Sequence, residues 1–427
     1  MTRVFYRVAC GLAIAALIWA GAVRAANIEI FVANHYPPGT PHGTLLHRYF
    51  EEYQRLHPNV QFAHSPRTTA EDISKILILF AAGTPPDIIL VPQLFLIEYV
   101  NAGLVAPVPH QVARRIRSSY VPGAVALATY QGAIYGFPTE NMPEAVVYNS
   151  RVFSDAGLVE QAPRTWPELR QIARKLTQRT GDGRFERAGY GILAHDTPNL
   201  AYLLTYSWGH GGDPVSSDAR RVRFSDPTVI DAVDFLITLY REDQTAVLGS
   251  PGFSENKLGM FFSPGPWIAA SLRRVGDTFY DGLRSALPPV GSTQERVATM
   301  YGYLWVVSKE TEHPQEVYDF LFWLNTEVTE KGTTRMGDVM EALGSIPNTQ
   351  ADARNQPSMR EPFMRGFLEA LTTGVARPLP SFPSWIDSVN ALAAQVVRAL
   401  NGEVPPQEAM READRIIQQK IDAFFEQ

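Results

Sequence analysis

The chain has 427 residues, of which 45 % are hydrophobic and 19 % charged, with a formal net charge of −6. These are globular values that exclude a disordered chain, and at about 150 residues per domain the length points to two or three domains. The acidic balance disfavours nucleic acid and anionic membrane surfaces as partners, because neither attracts the chain as a whole.

The first residues read as a targeting signal. Arg3 and Arg7 precede a nearly all-apolar run over residues 8–22, and Val23-Arg24-Ala25 ends in the small residue a signal peptidase needs. Cleavage is expected after Ala25 or one residue later, making 1–25 a signal peptide. The run is shorter than the ~20 residues that span a bilayer, which weighs against an uncleaved anchor. The single cysteine, Cys10, lies inside this signal and ahead of most of the apolar run, where a lipoprotein cysteine would not stand. The mature chain then rests on its core, without disulfides. Without Arg3, Arg7 and Arg24, the 38 basic residues fall to 35 against 44 acidic ones, a formal charge of −9.

Residues 27–33 (NIEIFVA) read as a buried strand opening into the Pro/Gly loop NHYPPGTPHG. Residues 45–56 read as a helix ended by His57-Pro58, and 60–62 as a second strand. Over 71–82, Ile73, Ile76, Leu77 and Phe80 share one helical face, and Gly83 supplies the left-handed residue that ends a helix. A strand at 87–91 and a helix at 94–101 follow. This alternation predicts an α/β chain with a mostly parallel sheet flanked by helices. Ligands of such sheets bind beyond the carboxyl ends of the strands, so Asn34-His35-Tyr36 and Pro92-Gln93 are expected at one edge.

In the stretch 133–149 (AIYGFPTENMPEAVVYN), a short strand is expected to break at Gly136 and Pro138, cross a polar loop, and resume at 145–148. That break reads as a passage between domains. Thr165 followed by Glu168 predicts a capping box, each side chain meeting a backbone N–H at the start of a helix whose buried face is Leu169, Ile172, Ala173 and Leu176. Further helices are predicted at 229–240, 314–325, 385–400 and 406–425. No fixed-period repeat and no low-complexity tract interrupts the pattern.

Catalytic signatures are missing: there is no H-E-x-x-H, no C-x-x-C and no Walker-type loop. Residues 205–209 (TYSWG) carry Thr where a nucleophile elbow has Gly, and read as an ordinary turn entering a cleft. The histidines are not spaced as metal ligands on a helix. What stands out is aromatics expected in loops, each beside Gly or Pro: Trp208 in SWGHGGD, Trp267 in SPGPW, Tyr301 and Tyr303 in MYGY, Phe382 and Trp385 in LPSFPSW. An indole offers a flat apolar face and one N–H donor, which suits the C–H face of a pyranose.

Several stretches, taken in order, resemble the extracellular solute-binding proteins of ABC transporters, in the sugar-binding group that includes maltose-binding protein. They are FEEYQRLHPNVQ at 50–61, FAAGTPPDIILV at 80–91, YVNAGLVAPV at 99–108, YGFPTENMPEAVVYNSRVFSDAGL at 135–158, APRTWPELRQIARKLT at 162–177, NKLGMFFSPGPW at 256–267, YGYLWVVSKETEHPQEVYDFLFWL at 301–324 and NGEVPPQEAMREA at 401–413. The resemblance implies a two-lobe periplasmic-binding-protein-like α/β fold, each lobe a mixed, mostly parallel sheet flanked by helices, with the ligand cleft at the hinge. It divides the chain into an N-terminal lobe of 26–137 plus 301–343 and a C-terminal lobe of 138–300 plus 344–427. It also implies a periplasmic, monomeric carrier with no cofactor and no turnover, which takes a carbohydrate or related polyol and delivers it to membrane permease subunits.

Carried over position by position, the resemblance places ligand contacts at Asn34, His35 and Tyr36, at Gln93, and at Asn141 and Met142. Leu94 and Met142 depart from the polar residues usual there. Trp267 matches the stacking aromatic most closely, and Trp208, Tyr303, Phe382 and Trp385 complete the expected aromatic set. Asp87 reads as structural. Three alternatives stay open: a secreted carbohydrate-active hydrolase, a polyamine binder, and a binder of glycerol phosphate esters, for which Arg377 would be a candidate.

Overall fold

The computed structural model describes residues 27–65, 73–346 and 348–426. The expected signal and the first two residues of the helix anticipated at 71–82 lie outside them. Two mixed sheets organise the chain. In the first, the strand order is Ala376–Pro378, Ala298–Val307, Ile88–Pro92, Ile28–Ala33, Val60–His64, with Gly136–Pro143 also paired to Ala298–Val307. In the second, the order is Ala246–Leu248, Phe185–Ile192, Leu258–Ser263, Ala145–Asn149, Leu283–Ala286.

Strands joined by helical crossovers run parallel, as Ile28–Ala33 does with both of its neighbours. Antiparallel pairing enters where the chain returns between sheets. Ala298–Val307 is antiparallel to both Ile88–Pro92 and Gly136–Pro143, and Ala145–Asn149 is antiparallel to both of its neighbours. The antiparallel share is therefore larger than the helix–strand alternation suggested, because these strands pair with partners distant in the chain and the local alternation does not fix their direction.

Helix starts follow their caps. Pro41–Leu56 begins earlier than expected because Thr40 Oγ1 accepts the Gly43 N–H at 3.1 Å and Pro41 is pre-set for the first turn. At Trp166–Leu176, Thr165 Oγ1 accepts the Glu168 N–H at 3.2 Å. The Glu168 carboxylate accepts from the Arg164 N–H at 2.7 Å and not from the Thr165 N–H, so the reciprocal half of the box is shifted by one residue. Pro314–Asn325, Trp385–Leu400 and Pro406–Phe425 match their expected bounds. Asp87 is structural: its carboxylate accepts from the Phe31 N–H at 2.8 Å and from Thr311 Oγ1 at 2.5 Å, tying the first strand to the loop after Ala298–Val307.

One expectation is overturned. Gly136–Pro143 is a single buried strand with no break at Pro138. Pairing places Glu140 opposite Tyr303 and Pro138 opposite Leu304, leaving Thr139 as the extra residue of a bulge. A proline without an N–H is tolerated beside such a bulge. The Thr139 carbonyl, released from the ladder, accepts from Asn348 Nδ2, and Thr139 Oγ1 donates to the Tyr303 carbonyl at 3.1 Å. The chain passes to the second sheet only after Pro143, at Glu144.

Glu144 anchors that passage. Its carboxylate accepts from Thr205 Oγ1 at 2.7 Å, on the helix Asp196–Gly209, and from Thr299 Oγ1 at 3.1 Å, on the strand returning to the first sheet. Its N–H donates to the Thr299 carbonyl at 2.8 Å. The group is 2 % exposed, and burial pushes its pKa up to about 7 against the pull of the two hydroxyls.

Candidate functional site

The antiparallel pair Gly136–Pro143 and Ala298–Val307 forms a platform. Met142 lies opposite Tyr301 and Glu140 opposite Tyr303. Side chains alternate along a strand, so residues two apart share a face. These four line one cavity of about 430 Å³. His35 and Tyr36, in the loop after Ile28–Ala33, form one wall; the His35 ring lies 4.5 Å from Tyr303 and 4.6 Å from Tyr36. His42, in the first turn of Pro41–Leu56, meets Tyr36 edge-on at 5.7 Å.

The opposite wall is Trp267, from the second sheet's side. Leu258–Ser263 ends in Pro264-Gly265, and Trp267 stands in the single turn Pro266–Ile268. A Cβ on Gly265 would lie 2.8 Å from the Met142 Cβ and 2.9 Å from the Trp267 Cδ1, so only glycine lets this turn settle against the platform. Trp267 remains 43 % exposed, unusual for an indole in a chain whose other large aromatics are mostly sealed. Gly302, between Tyr301 and Tyr303, serves a like purpose: a Cβ there would meet the Glu140 carbonyl oxygen at 2.0 Å. MYGY is therefore strand and not the loop that its glycine suggested.

Glu140 is the only carboxylate among the described residues lining this cavity. Burial pushes its pKa up to about 7; the Ser345 and Tyr36 hydroxyls pull it back, though neither completes a well-directed hydrogen bond. Near neutral pH the group thus both donates and accepts. Burial and the Glu140 charge hold the Tyr36 and Tyr301 hydroxyls protonated, and burial lowers the pKa of His42. The cavity therefore presents aromatic faces, protonated phenol hydroxyls and one carboxyl that is only partly ionised near neutral pH. No lysine or arginine lines it among the described residues. A glycosidase needs two carboxylates flanking the scissile bond. The nearby Glu144 is committed to Thr205 and Thr299 and does not line the cavity.

Of the expected contacts, His35, Tyr36, Met142, Trp267 and Tyr303 meet here. Asn34 Oδ1 accepts the Tyr36 N–H at 2.9 Å and shapes the loop instead. Asn141, between Glu140 and Met142, faces the other way, fully buried and bonded to Asn348. Phe382 and Trp385 are each 1 % exposed, packed on one another with ring centres 4.7 Å apart, and belong to the core. Gln93 and Trp208 line a different groove. Trp208 stands near the end of the helix Asp196–Gly209, which absorbs the turn expected at 205–209. Leu94 is buried, its carbonyl accepting from Ser381 Oγ at 2.8 Å. Glu140 and His42 were not singled out. The signal for Glu140 was the two-residue spacing with Met142, obscured by the prolines that made 138–143 read as loop.

A family model for bacterial extracellular solute-binding proteins matches residues 36–331. The chain belongs to that family. Among relatives of this solute-binding protein, the maltotriose-binding protein of Pyrococcus abyssi (strain GE5 / Orsay) is 22 % identical over 343 residues, covering 77 % of this chain and 68 % of that one. The sugar-binding protein MalE from Xanthomonas citri superposes with a TM-score of 0.78 at 17 % identity, over 94 % of this chain and 100 % of its own. The cyclic alpha-maltosyl-1,6-maltose binding protein from Arthrobacter globiformis gives 0.76 at 18 %, over 93 % and 99 %. These likenesses establish the two-lobe periplasmic-binding-protein-like α/β fold.

Proposed function

We propose that this solute-binding protein captures a carbohydrate, or a related polyol, in the cavity between Trp267 and the Tyr301–Tyr303 platform, and delivers it unchanged to the permease of an ABC importer. The observation that carries the reading is Trp267, an indole held 43 % exposed over a cavity floored by aromatics and a carboxyl whose pKa burial raises. A sugar ring meets such a site with its C–H face on the indole and its hydroxyls toward Glu140, His35 and Tyr303. The sugar ligands in the names of the relatives support the same class. A phosphate ester would want a cation in the lining, and a polyamine more than one carboxylate; among the described residues the cavity supplies neither. The single lining carboxylate likewise favours binding over hydrolysis.

In this reading each sheet is the centre of one lobe. The hinge is made of Glu144, the strand Ala298–Val307 and the stretch after Ala376–Pro378, and closure about it traps the solute. Residues 1–25 direct export to the periplasm and are removed, the protein carries no lipid, and it works as a monomer. A thermal-shift screen of the mature chain against maltose, maltotriose, mannobiose, glycerol, glycerol 3-phosphate and spermidine tests the ligand class, since binding to the folded state alone raises its melting temperature. A rise with a saccharide is expected. A rise confined to spermidine or glycerol 3-phosphate, or saccharide recovered in fragments, would overturn the reading.

A further inference from the structure

The geometry points to a second ligand site, on the opposite face of the hinge strands from the Trp267 cavity, that takes a neutral polyhydroxylated molecule about the size of one pyranose and is coupled negatively to the first site. It rests on the proposed hinge-closing function.

The site is a groove of about 240 Å³ whose walls come from both lobes. Gln93, Leu127 and Tyr130 belong to the first; Trp208, Asp213 and Ser217 belong to the second. Its position relative to the first cavity follows from strand alternation. Tyr301 and Tyr303 face the Trp267 cavity, and Gly302 between them faces away. A Cβ on Gly302 would meet Leu127 Cδ2 at 2.8 Å, and Leu127 lines the groove. The two cavities therefore lie on opposite sides of the strand Ala298–Val307.

The lining suits a hydroxylated guest. Gln93 is 7 % exposed; its Nε2 donates to the Leu379 carbonyl at 2.9 Å, while its Oε1 is buried with no partner. Buried carbonyl oxygens are rarely left so, and a hydroxyl entering the groove would satisfy it. Trp208 offers an indole whose N–H donates to Asp213 at 3.2 Å and whose ring has the Arg377 guanidinium 5.6 Å from its centre. Asp213 is the one charged residue among the described residues lining the groove, its carboxylate already accepts from the Trp208 N–H, and every other polar lining group is an uncharged hydroxyl or amide, which favours a neutral hydroxylated ligand. Gln131 and Ala219, lining the groove from opposite lobes, hold φ of +47° and +57°, strained values for residues with a Cβ.

The coupling follows from the placement. Rotation about the hinge that draws the walls together over Trp267 draws them apart behind it. A molecule bridging Gln93 and Trp208 then favours the form in which the first cavity is open, and each ligand weakens the other by the same factor.

The test is ¹⁹F NMR on the mature chain labelled with 5-fluorotryptophan, with the Trp208 and Trp267 resonances assigned by Trp→Phe variants. D-glucose and maltotriose are the probes. Two separately saturating shifts are expected, one at each tryptophan. Ser217→Trp, which fills the groove from an exposed position, should weaken the Trp208 response at least tenfold and leave the Trp267 response at wild-type strength or stronger. Gln93→Leu should weaken the groove alone, and melting curves check that both variants fold. Saturating the first site with maltotriose should raise the glucose dissociation constant at Trp208 several-fold. A Trp267 shift with Trp208 unmoved overturns this inference and leaves the carrier reading standing. Silence at both overturns this inference, silence extending to every saccharide and polyol of the thermal-shift panel overturns the carrier reading as well, and mutual strengthening overturns the coupling.

Discussion

Met142, in a strand of the first sheet, and Gly265, in the turn that follows a strand of the second, lie so close that a methyl group on the glycine would sit 2.8 Å from the Met142 Cβ. That contact sets how far Trp267 stands from the platform. Gly265→Ala forces the turn or the strand to shift, and overpacking of this kind costs ~1–3 kcal/mol. Urea unfolding should show that loss, and saccharide affinity should fall at least tenfold because the indole moves off the cavity. Unchanged affinity would mean that the turn has slack.

Trp267→Ala should lower affinity by about 1–3 kcal/mol, the scale of one aromatic contact in a binding site, and leave stability nearly untouched because the residue is 43 % exposed. Isothermal titration beside thermal melting separates the two effects. Affinity equal to wild type removes Trp267 from the site.

Trp385→Ala should do the reverse. The residue is 1 % exposed against Phe382, and emptying such a position costs ~3–5 kcal/mol of stability. Saccharide affinity at a temperature where the variant stays folded should match wild type. A large affinity loss there would return Trp385 to the ligand.

Glu140 and Glu144 give stability a definite slope with pH. Each has its pKa raised from 4.5 to about 7 by burial, so the folded form holds a proton that the unfolded chain releases. Their contribution is fully present below about pH 4.5 and is lost as pH rises through about 7, with a ceiling near 1.4 kcal/mol per pH unit for each group. Glu144→Gln should flatten this fall, as read from urea midpoints between pH 4.5 and 8. A slope as steep as wild type would show that Glu144 stays ionised.

Removing residues 1–25 should leave the protein in the cytoplasm, read by cell fractionation against the full-length chain. Export of the truncated chain would overturn the signal assignment.

Much of the fold was legible because it is written in local chemistry. The three helices Pro314–Asn325, Trp385–Leu400 and Pro406–Phe425 begin and end where periodicity and proline placed them. The same local rules misread 136–143, where two prolines and a glycine signal a break but long-range pairing with Ala298–Val307 and a bulge at Thr139 keep the strand whole. Within the site, the loop residues His35 and Tyr36 and the GPW turn were legible from motif position. Glu140 was not, because its orientation depends on a strand register set by a partner far along the chain.

By itself, then, the sequence determined the order of elements, the caps, and an indole beside glycine at Trp267, since each depends on neighbours a few residues away. Only the tertiary structure decided that Trp267, Tyr303 and Met142 share a cavity, that Gln93 and Trp208 lie behind the strand, and that Phe382 and Trp385 are sealed. Those distinctions turn on which face of a strand or helix meets solvent, and burial is a property of the packed whole.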